Sequence, residues 1–130
     1  HVMNVASIGS YLPVPEFAAY SATKAYVRNF TEALDAELRG TGVRAITVSP
    51  GGTITEFMQA AGDDFSKLGL MVSMSPQRCA RIAVAKMLGG RRGVVTGFFN
   101  SIGMWMLRFL PRRLMPFVGK HAMGMSLQGD

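Results

Sequence analysis

The order of predicted segments in the first half of the chain constrains the fold more than any other feature. Residues 1–6 are mostly apolar and end in small side chains, which predicts a buried strand. Good helix formers then occupy about residues 17–39, and two nearby glycines end the helix. The β-branched residues 43–49 predict a second strand. Strands alternating with helices indicate a parallel sheet, because each parallel connection needs a crossover of a dozen or more residues.

The second half continues the alternation. Ser75 is predicted to cap a helix over residues 76–88, because the proline that follows it suits the first helical position. Residues 94–96 predict a last short strand. From residue 98 the chain is apolar and basic, with Pro111 and Pro116 interrupting it. We therefore expect an α/β fold in residues 1–97, followed by a separate apolar and basic segment in residues 98–130.

Composition supports a folded chain in a reducing compartment. Hydrophobic residues make up 48% of the chain and charged residues 17%, which is typical of a globular domain. The single cysteine, Cys79, cannot form an internal disulfide, so the cytoplasm is the expected location. Cys79 itself is expected to be a small buried side chain. Within the long predicted helix, an apolar stripe at helical spacing consists of Val27, Phe30, Leu34 and Leu38.

The charge is distributed unevenly along the chain. Residues 1–64 contain four basic and seven acidic side chains, whereas residues 65–130 contain ten basic side chains and one acid. Such asymmetry is compatible with an anionic partner, either nucleic acid or a membrane surface. It is equally compatible with packing against an acidic surface elsewhere in the protein or in a partner subunit. We favour the second interpretation and expect neither nucleic-acid binding nor a bound metal.

Tyr20 and Lys24 lie on the long predicted helix and form a pair that could transfer a proton. Residues four apart share one helix face, with their Cβ atoms roughly 5–6 Å apart. A free tyrosine has a pKa near 10, and a neighbouring ammonium lowers that pKa by favouring the phenolate. A tyrosine beside a lysine can therefore give a proton to a carbonyl or take one from an alcohol. The pair alone has low specificity, because this spacing occurs by chance in many helices.

Three motifs in register make the interpretation more specific. Asn4-Val5-Ala6-Ser7 ends the first strand, and Ser7 lies thirteen residues before Tyr20. The segment Tyr20-Ser21-Ala22-Thr23-Lys24-Ala25 follows, and Pro50-Gly51-Gly52-Thr53-Ile54-Thr55 ends the second strand. Together these segments resemble the short-chain dehydrogenase/reductase family, strongly over residues 1–58 and more weakly to residue 97. The resemblance implies the C-terminal part of a Rossmann-like sheet, which is a doubly wound α/β/α fold in complete family members.

The resemblance also implies catalytic roles. Tyr20 would be the acid/base in an interconversion of an alcohol and a carbonyl. Lys24 would lower the pKa of Tyr20 and bind the ribose of NAD or NADP. Ser7 would orient the substrate oxygen. Ser10 is the alternative to Ser7, although its spacing from Tyr20 is ten residues and Gly9 separates it from the strand. The cofactor-binding residues implied by the resemblance are Tyr20, Lys24, Pro50, Gly51, Thr53 and Thr55.

The glycine-rich turn that holds the pyrophosphate in this family has no counterpart in the sequence. We therefore expect the chain to be a C-terminal half without its cofactor-binding half, and to be inactive in isolation. Because family members self-associate through the helix that carries the tyrosine and lysine, we also expect a homodimer or homotetramer.

Two further alternatives concern function and surroundings. The chain could be a non-catalytic binding or scaffold protein of the same family, although the intact Ser7, Tyr20 and Lys24 favour an enzyme. Residues 98–130 are expected to cover the substrate pocket or a subunit interface, with peripheral membrane contact as the alternative. Residues 56–74 occupy the position of the family's substrate lid and are apolar and methionine-rich, which favours a small hydrophobic carbonyl or alcohol as substrate.

Overall fold

The computed structural model describes residues 1–51 and 74–122. Within these residues, three strands form a parallel sheet in the order β1 (Val2–Val5), β2 (Ala45–Ser49) and β3 (Gly93–Val95). Val5 pairs with Val48, and Val48 pairs in turn with Val94. All five residues of β2 are buried, as expected for the central strand of a covered parallel sheet. The predicted α/β class with a parallel sheet is confirmed.

Helix α1 (Ala18–Glu37) covers one face of this sheet. It coincides with the predicted helix apart from one or two residues at each end. Asn4 and Thr47 are paired across β1 and β2, so their side chains point to the same face. The amide of Asn4 donates a 2.9 Å hydrogen bond to Thr31 Oγ on α1. That bond places α1 on the face that carries Asn4 and Thr47.

Helix α2 (Pro76–Leu88) covers the opposite face. The predicted cap is present, because Ser75 Oγ accepts a hydrogen bond of 3.3 Å from the backbone N–H of Arg78. Cys79 is buried, as predicted, and its thiol lies 3.7 Å from Thr96 Oγ. Val95 pairs with Ser49, so it lies on the same sheet face as Ser49 and Thr47. Thr96, the next residue, points to the opposite face, where it meets α2. The chain therefore has helices on both sides of the sheet.

The most buried positions of α1 are polar. Ser21, Thr31 and Asp35 are buried, whereas the apolar stripe is less covered: Val27, Leu34 and Leu38 are half-buried and Phe30 is 49% exposed. On the sheet face beneath α1, Asn4 donates to Thr31, whereas the buried hydroxyls of Thr47 and Ser49 have no hydrogen-bond partner among the described residues. The contact between α1 and the sheet therefore includes a specific hydrogen bond at Asn4 but not at every polar position.

Asp35 joins the C-terminal part of α1 to the sheet. Its carboxylate accepts hydrogen bonds from Arg44 Nε at 3.0 Å and from the N–H of Ala45 at 3.1 Å. Arg92, just before β3, lies 3.3 Å from the other carboxylate oxygen. The hydrogen bond from Arg44 lowers the pKa of Asp35 below its ordinary value, aided by Ala45 and Arg92, although burial opposes the shift. One buried carboxylate thus links α1 to the starts of β2 and β3.

The C-terminal segment consists of short helices. Helix α3 (Phe98–Met106) continues into a 3₁₀ turn (Leu107–Phe109), and a second turn (Arg112–Leu114) leads into helix α4 (Met115–Ala122). Pro111 separates the two turns, as predicted. Pro116 instead lies in the first turn of α4, where the missing N–H costs nothing. In the described ranges, no helix is long and apolar enough to cross a membrane.

Candidate active site

Tyr20 and Lys24 lie at the start of α1, near the carboxyl end of β1. Lys24 Nζ is 5.8 Å from the centroid of the Tyr20 ring. The same ammonium donates a 3.1 Å hydrogen bond to the carbonyl oxygen of Val5, the last residue of β1. The ring of Tyr20 is packed edge-on against Phe17, with 6.4 Å between centroids. The helix spacing thus brings the phenol and the ammonium together, as the sequence predicts.

Ser7 also lies close to Tyr20. It caps the 3₁₀ turn Ile8–Tyr11, and its Oγ accepts a 3.1 Å hydrogen bond from the N–H of Gly9. A Cβ atom on Gly9 would lie 3.6 Å from Ser7 Oγ and 3.6 Å from Tyr20 Cε1. Ser7 Oγ and the Tyr20 ring are therefore close to each other, with Gly9 beside both.

Ser10, the alternative to Ser7, has a different environment. It is 4% exposed, and its Oγ has no hydrogen-bond partner within the part of the chain that the structure describes. Ser7, by contrast, is half-buried and accepts a hydrogen bond from the loop that it caps.

Pro50 and Gly51 follow β2 beside the serine loop. The carbonyl of Pro50 accepts a 2.9 Å hydrogen bond from the N–H of Ile8, so the turn after β2 is tied to the residue that follows Ser7. Gly51 is the last described residue before the gap. Thr53 and Thr55, the other two predicted cofactor contacts, lie outside the described residues, as does nearly all of the predicted substrate lid at residues 56–74.

Asn100 is a buried polar residue of this region that the sequence analysis did not identify. It lies in the first turn of α3, is 9% exposed, and donates a 3.0 Å hydrogen bond from Nδ2 to the carbonyl of Thr96. A Cβ atom on Gly51 would overlap the Asn100 amide, and one on Gly97 would lie 2.9 Å from Nδ2. In the sequence, this residue could have been noticed only as a single asparagine directly after two phenylalanines, Phe98-Phe99-Asn100.

These residues share one end of the sheet. Ser7 follows β1, Pro50 and Gly51 follow β2, and Asn100 follows β3. Ligands of open α/β sheets bind outside the carboxyl ends of the strands. At this end Ser7 Oγ and the Tyr20 ring lie close together beside Gly9, with the ammonium of Lys24 one turn further along α1. The described residues contain no group of three or more His, Cys, Asp or Glu side chains that could hold a metal ion.

Comparison with known proteins identifies the family. The family model described as short chain dehydrogenase matches residues 1–66, which include Ser7, Tyr20, Lys24, Pro50 and Gly51. The chain belongs to the short-chain dehydrogenase family.

Named relatives support this assignment. Sulfoacetaldehyde reductase 2 of Chromohalobacter salexigens is 34% identical over 84 residues, which are 63% of this chain and 33% of that protein. The 3-beta-hydroxysteroid dehydrogenase of Comamonas testosteroni is 39% identical over 62 residues, or 46% of this chain and 24% of that protein. The chain thus aligns with about a third or less of the length of these relatives.

A solved structure from work on 7beta-hydroxysteroid dehydrogenase stereoselectivity has the same fold. It superimposes with a TM-score of 0.77 over 91% of this chain and 46% of its own chain, at 24% sequence identity. The arrangement of helices around the parallel sheet is therefore that found in part of a Rossmann-like domain.

Proposed function

We propose that this chain carries the catalytic residues of an NAD- or NADP-dependent oxidoreductase that interconverts an alcohol and a carbonyl. The observation that supports this most directly is the clustering of three side chains: Ser7 Oγ and the Tyr20 ring both lie beside Gly9, and Lys24 Nζ is 5.8 Å from the centroid of that ring. The family assignment, which covers all three side chains, points in the same direction.

Tyr20 is the proposed proton donor in reduction and proton acceptor in oxidation. Its hydroxyl would hydrogen-bond the substrate oxygen and transfer its proton as the carbonyl becomes an alcohol. The ammonium of Lys24 lies 5.8 Å from the centroid of the Tyr20 ring, one turn further along α1. Ser7 would donate a hydrogen bond to the same substrate oxygen, which orients the carbonyl carbon toward the nicotinamide.

Four positions would hold the nicotinamide end of the cofactor in addition to Tyr20 and Lys24: Pro50, Gly51, Thr53 and Thr55. When bound, the nicotinamide supplies the hydride for reduction or accepts it in oxidation. Lys24 would donate to the ribose hydroxyls. Its ammonium lies at the carboxyl end of β1, where it contacts the carbonyl of Val5. The turn after β2 presents backbone groups next to Ser7, because Pro50 is joined to Ile8.

Ser7 is preferred to Ser10 for the substrate contact. Ser7 is half-buried and lies beside Gly9 near the Tyr20 ring, whereas Ser10 is almost fully buried. If this assignment is correct, Ser7→Ala lowers turnover strongly and Ser10→Ala affects mainly stability.

The proposed substrate is a small hydrophobic carbonyl or alcohol. The apolar composition of residues 56–74 supports this class. One relative is named as a hydroxysteroid dehydrogenase, and a steroid is apolar. Another is named as a sulfoacetaldehyde reductase, and sulfoacetaldehyde is anionic, so both substrate classes should be assayed. Rates of NADH and NADPH oxidation with steroid ketones, aliphatic ketones and sulfoacetaldehyde would test the proposal. An active preparation whose rates survive both Ser7→Ala and Tyr20→Phe would refute the assigned chemistry.

We also propose that the protein is a homodimer or homotetramer. On the outer face of α1, Tyr26 and Phe30 are exposed and stacked, with 5.9 Å between their ring centroids. Exposed aromatic pairs of this kind are typical of subunit contacts. Light scattering would test this, because Tyr26→Ser combined with Phe30→Ser should lower the oligomeric mass, whereas exchanges at exposed Glu32 should leave it unchanged.

A further inference from the structure

Helix α3 has an apolar face toward solvent and a polar residue toward the protein. Its buried residue is Asn100, whereas five large apolar side chains of the helix are between 42% and 74% exposed. Their helical spacing places them on one side. These five residues and Phe109 form what we call the α3 apolar face: Phe98, Phe99, Ile102, Trp105, Met106 and Phe109.

The α3 apolar face is continuous and fixed in orientation. Phe98 packs edge-on against Phe99, and Trp105 packs edge-on against Phe109 with 5.1 Å between ring centroids. The aromatic surface therefore extends beyond α3 into the following turn. Rotation of the helix to bury this face would break the hydrogen bond from Asn100 to Thr96 and expose the Asn100 contact with the Gly51 turn. Contiguous apolar patches that remain exposed mark interaction surfaces.

Charge identifies the kind of partner. Arg108, Arg112 and Arg113 follow α3, all three are exposed, and none of them takes part in an ion pair in the described part of the chain. From Phe65 to Gly129 the sequence has no acidic residue. A symmetric contact with a second copy would bring like charges together, which is unfavourable. An apolar face beside uncompensated arginines is complementary to an anionic lipid surface.

We propose that the α3 apolar face docks on the surface of an anionic membrane, with Arg108, Arg112 and Arg113 at the level of the lipid headgroups. The nine residues of α3 extend about 13 Å, much less than the roughly 30 Å hydrocarbon thickness of a bilayer, so the helix lies in the interface. Its polar side remains on the Gly51 turn, which places the proposed active site close to the membrane. The inference does not depend on the proposed catalytic activity.

Trp105 is the single tryptophan of the chain and lies within the proposed contact, so its fluorescence reports docking directly. We expect its emission to shift to the blue when the 130-residue chain is mixed with vesicles of phosphatidylcholine and phosphatidylserine. Vesicles of phosphatidylcholine alone should give a much weaker response. Added salt should reverse the binding in part, because exposed charges are screened. Brominated acyl chains should quench Trp105 in the bound state.

Two variants and a matched control separate the apolar and electrostatic contributions. Ile102→Glu alters an exposed position of the face and should abolish binding. Arg112→Glu with Arg113→Glu should weaken binding to the anionic vesicles by about 25-fold or more, at about fivefold for each basic residue. Arg78→Glu with Arg81→Glu changes the same charge on the exposed side of α2 and should have little effect. Circular dichroism of each variant verifies that it is folded.

Three results would overturn the proposal. The first is equal binding to neutral and anionic vesicles with no loss in the Arg112→Glu, Arg113→Glu variant. The second is vesicle binding that leaves Trp105 emission unchanged and survives Ile102→Glu. The third is a Trp105 shift that follows protein concentration without lipid, which would identify the face as a contact between copies of the chain.

Discussion

The ammonium of Lys24 donates a 3.1 Å hydrogen bond to the carbonyl oxygen of Val5. This bond connects the second turn of α1 to the last residue of β1, two residues before Ser7. It holds a positive charge beside the ring of Tyr20. The local geometry of the proposed site is therefore set by contacts within this chain.

Replacement of Tyr20 by Phe tests the proposed acid/base. The variant keeps the ring and its edge-on contact with Phe17 but has no transferable proton. Turnover of a confirmed substrate should fall by about 10²- to 10⁴-fold, whereas the cofactor Kd should change little. Tyr26→Phe makes the same change at an exposed tyrosine of α1 and serves as the control. Near-normal turnover in Tyr20→Phe would exclude the role proposed for this tyrosine.

Replacement of Lys24 by Met tests the proposed ribose contact. Methionine preserves much of the length of the side chain and removes the ammonium that donates to the carbonyl oxygen of Val5. The cofactor should bind more weakly because a ribose donor is lost, so its Kd in a titration with NADH or NADPH should rise. Lys86→Met, on α2, is the control for loss of one positive charge. A cofactor Kd that Lys24→Met does not change would contradict the proposed contact.

The contact between Gly51 and Asn100 can be tested by a double-mutant cycle. Gly51→Ala should lower the free energy of unfolding by about 1–3 kcal/mol, because the new methyl group overlaps the buried amide. Asn100→Ala should also destabilise, since it leaves the carbonyl of Thr96 without its donor. In the Asn100→Ala background, Gly51→Ala should cost less, giving a coupling of about 0.5–3 kcal/mol.

Gly103→Ala, also in α3, is the control for the glycine substitution. A Cβ at Gly103 meets no atom within 4 Å, so alanine should be neutral or should stabilise the helix by up to about 1 kcal/mol. Denaturant unfolding of the four proteins of the cycle and of this control measures each free energy. Strict additivity between Gly51→Ala and Asn100→Ala would show that the two residues are not in energetic contact.

Local rules were sufficient for the secondary structure and for the pair on α1. The Ser75 cap, the strand predicted over residues 43–49 and found at Ala45–Ser49, and the helical spacing of Tyr20 and Lys24 all follow from short-range preferences. The structure bears these predictions out because each of them depends on residues within one element. The proximity of Ser7 to Tyr20 spans two elements and was available only through the resemblance to a family.

The buried polar contacts were not predictable in the same way. Asp35 and Thr31 were not part of the apolar stripe, and their burial depends on Asn4, Arg44 and Ala45, which approach from other elements. Asn100 is identified as a buried residue only when the loops after β2 and β3 are placed side by side. Periodicity in one segment carries no information on such partners, because they come from distant parts of the sequence.

Asp35→Asn tests whether the carboxylate that joins α1 to the sheet causes the loss of thermal stability in acid. Hydrogen bonding from Arg44 lowers the folded-state pKa of Asp35 below 3.8, so its stabilising contribution is present above that pH and is lost as pH falls through the folded pKa. Asp35→Asn should therefore lower the melting temperature at neutral pH and reduce the loss of stability below about pH 4. Glu37→Gln, at an exposed acid of the same helix, is the control. Thermal unfolding followed by circular dichroism measures the melting temperature at each pH. If the melting temperature fell equally in acid for Asp35→Asn and for the unmodified chain, titration of Asp35 would not be the cause of the loss of stability.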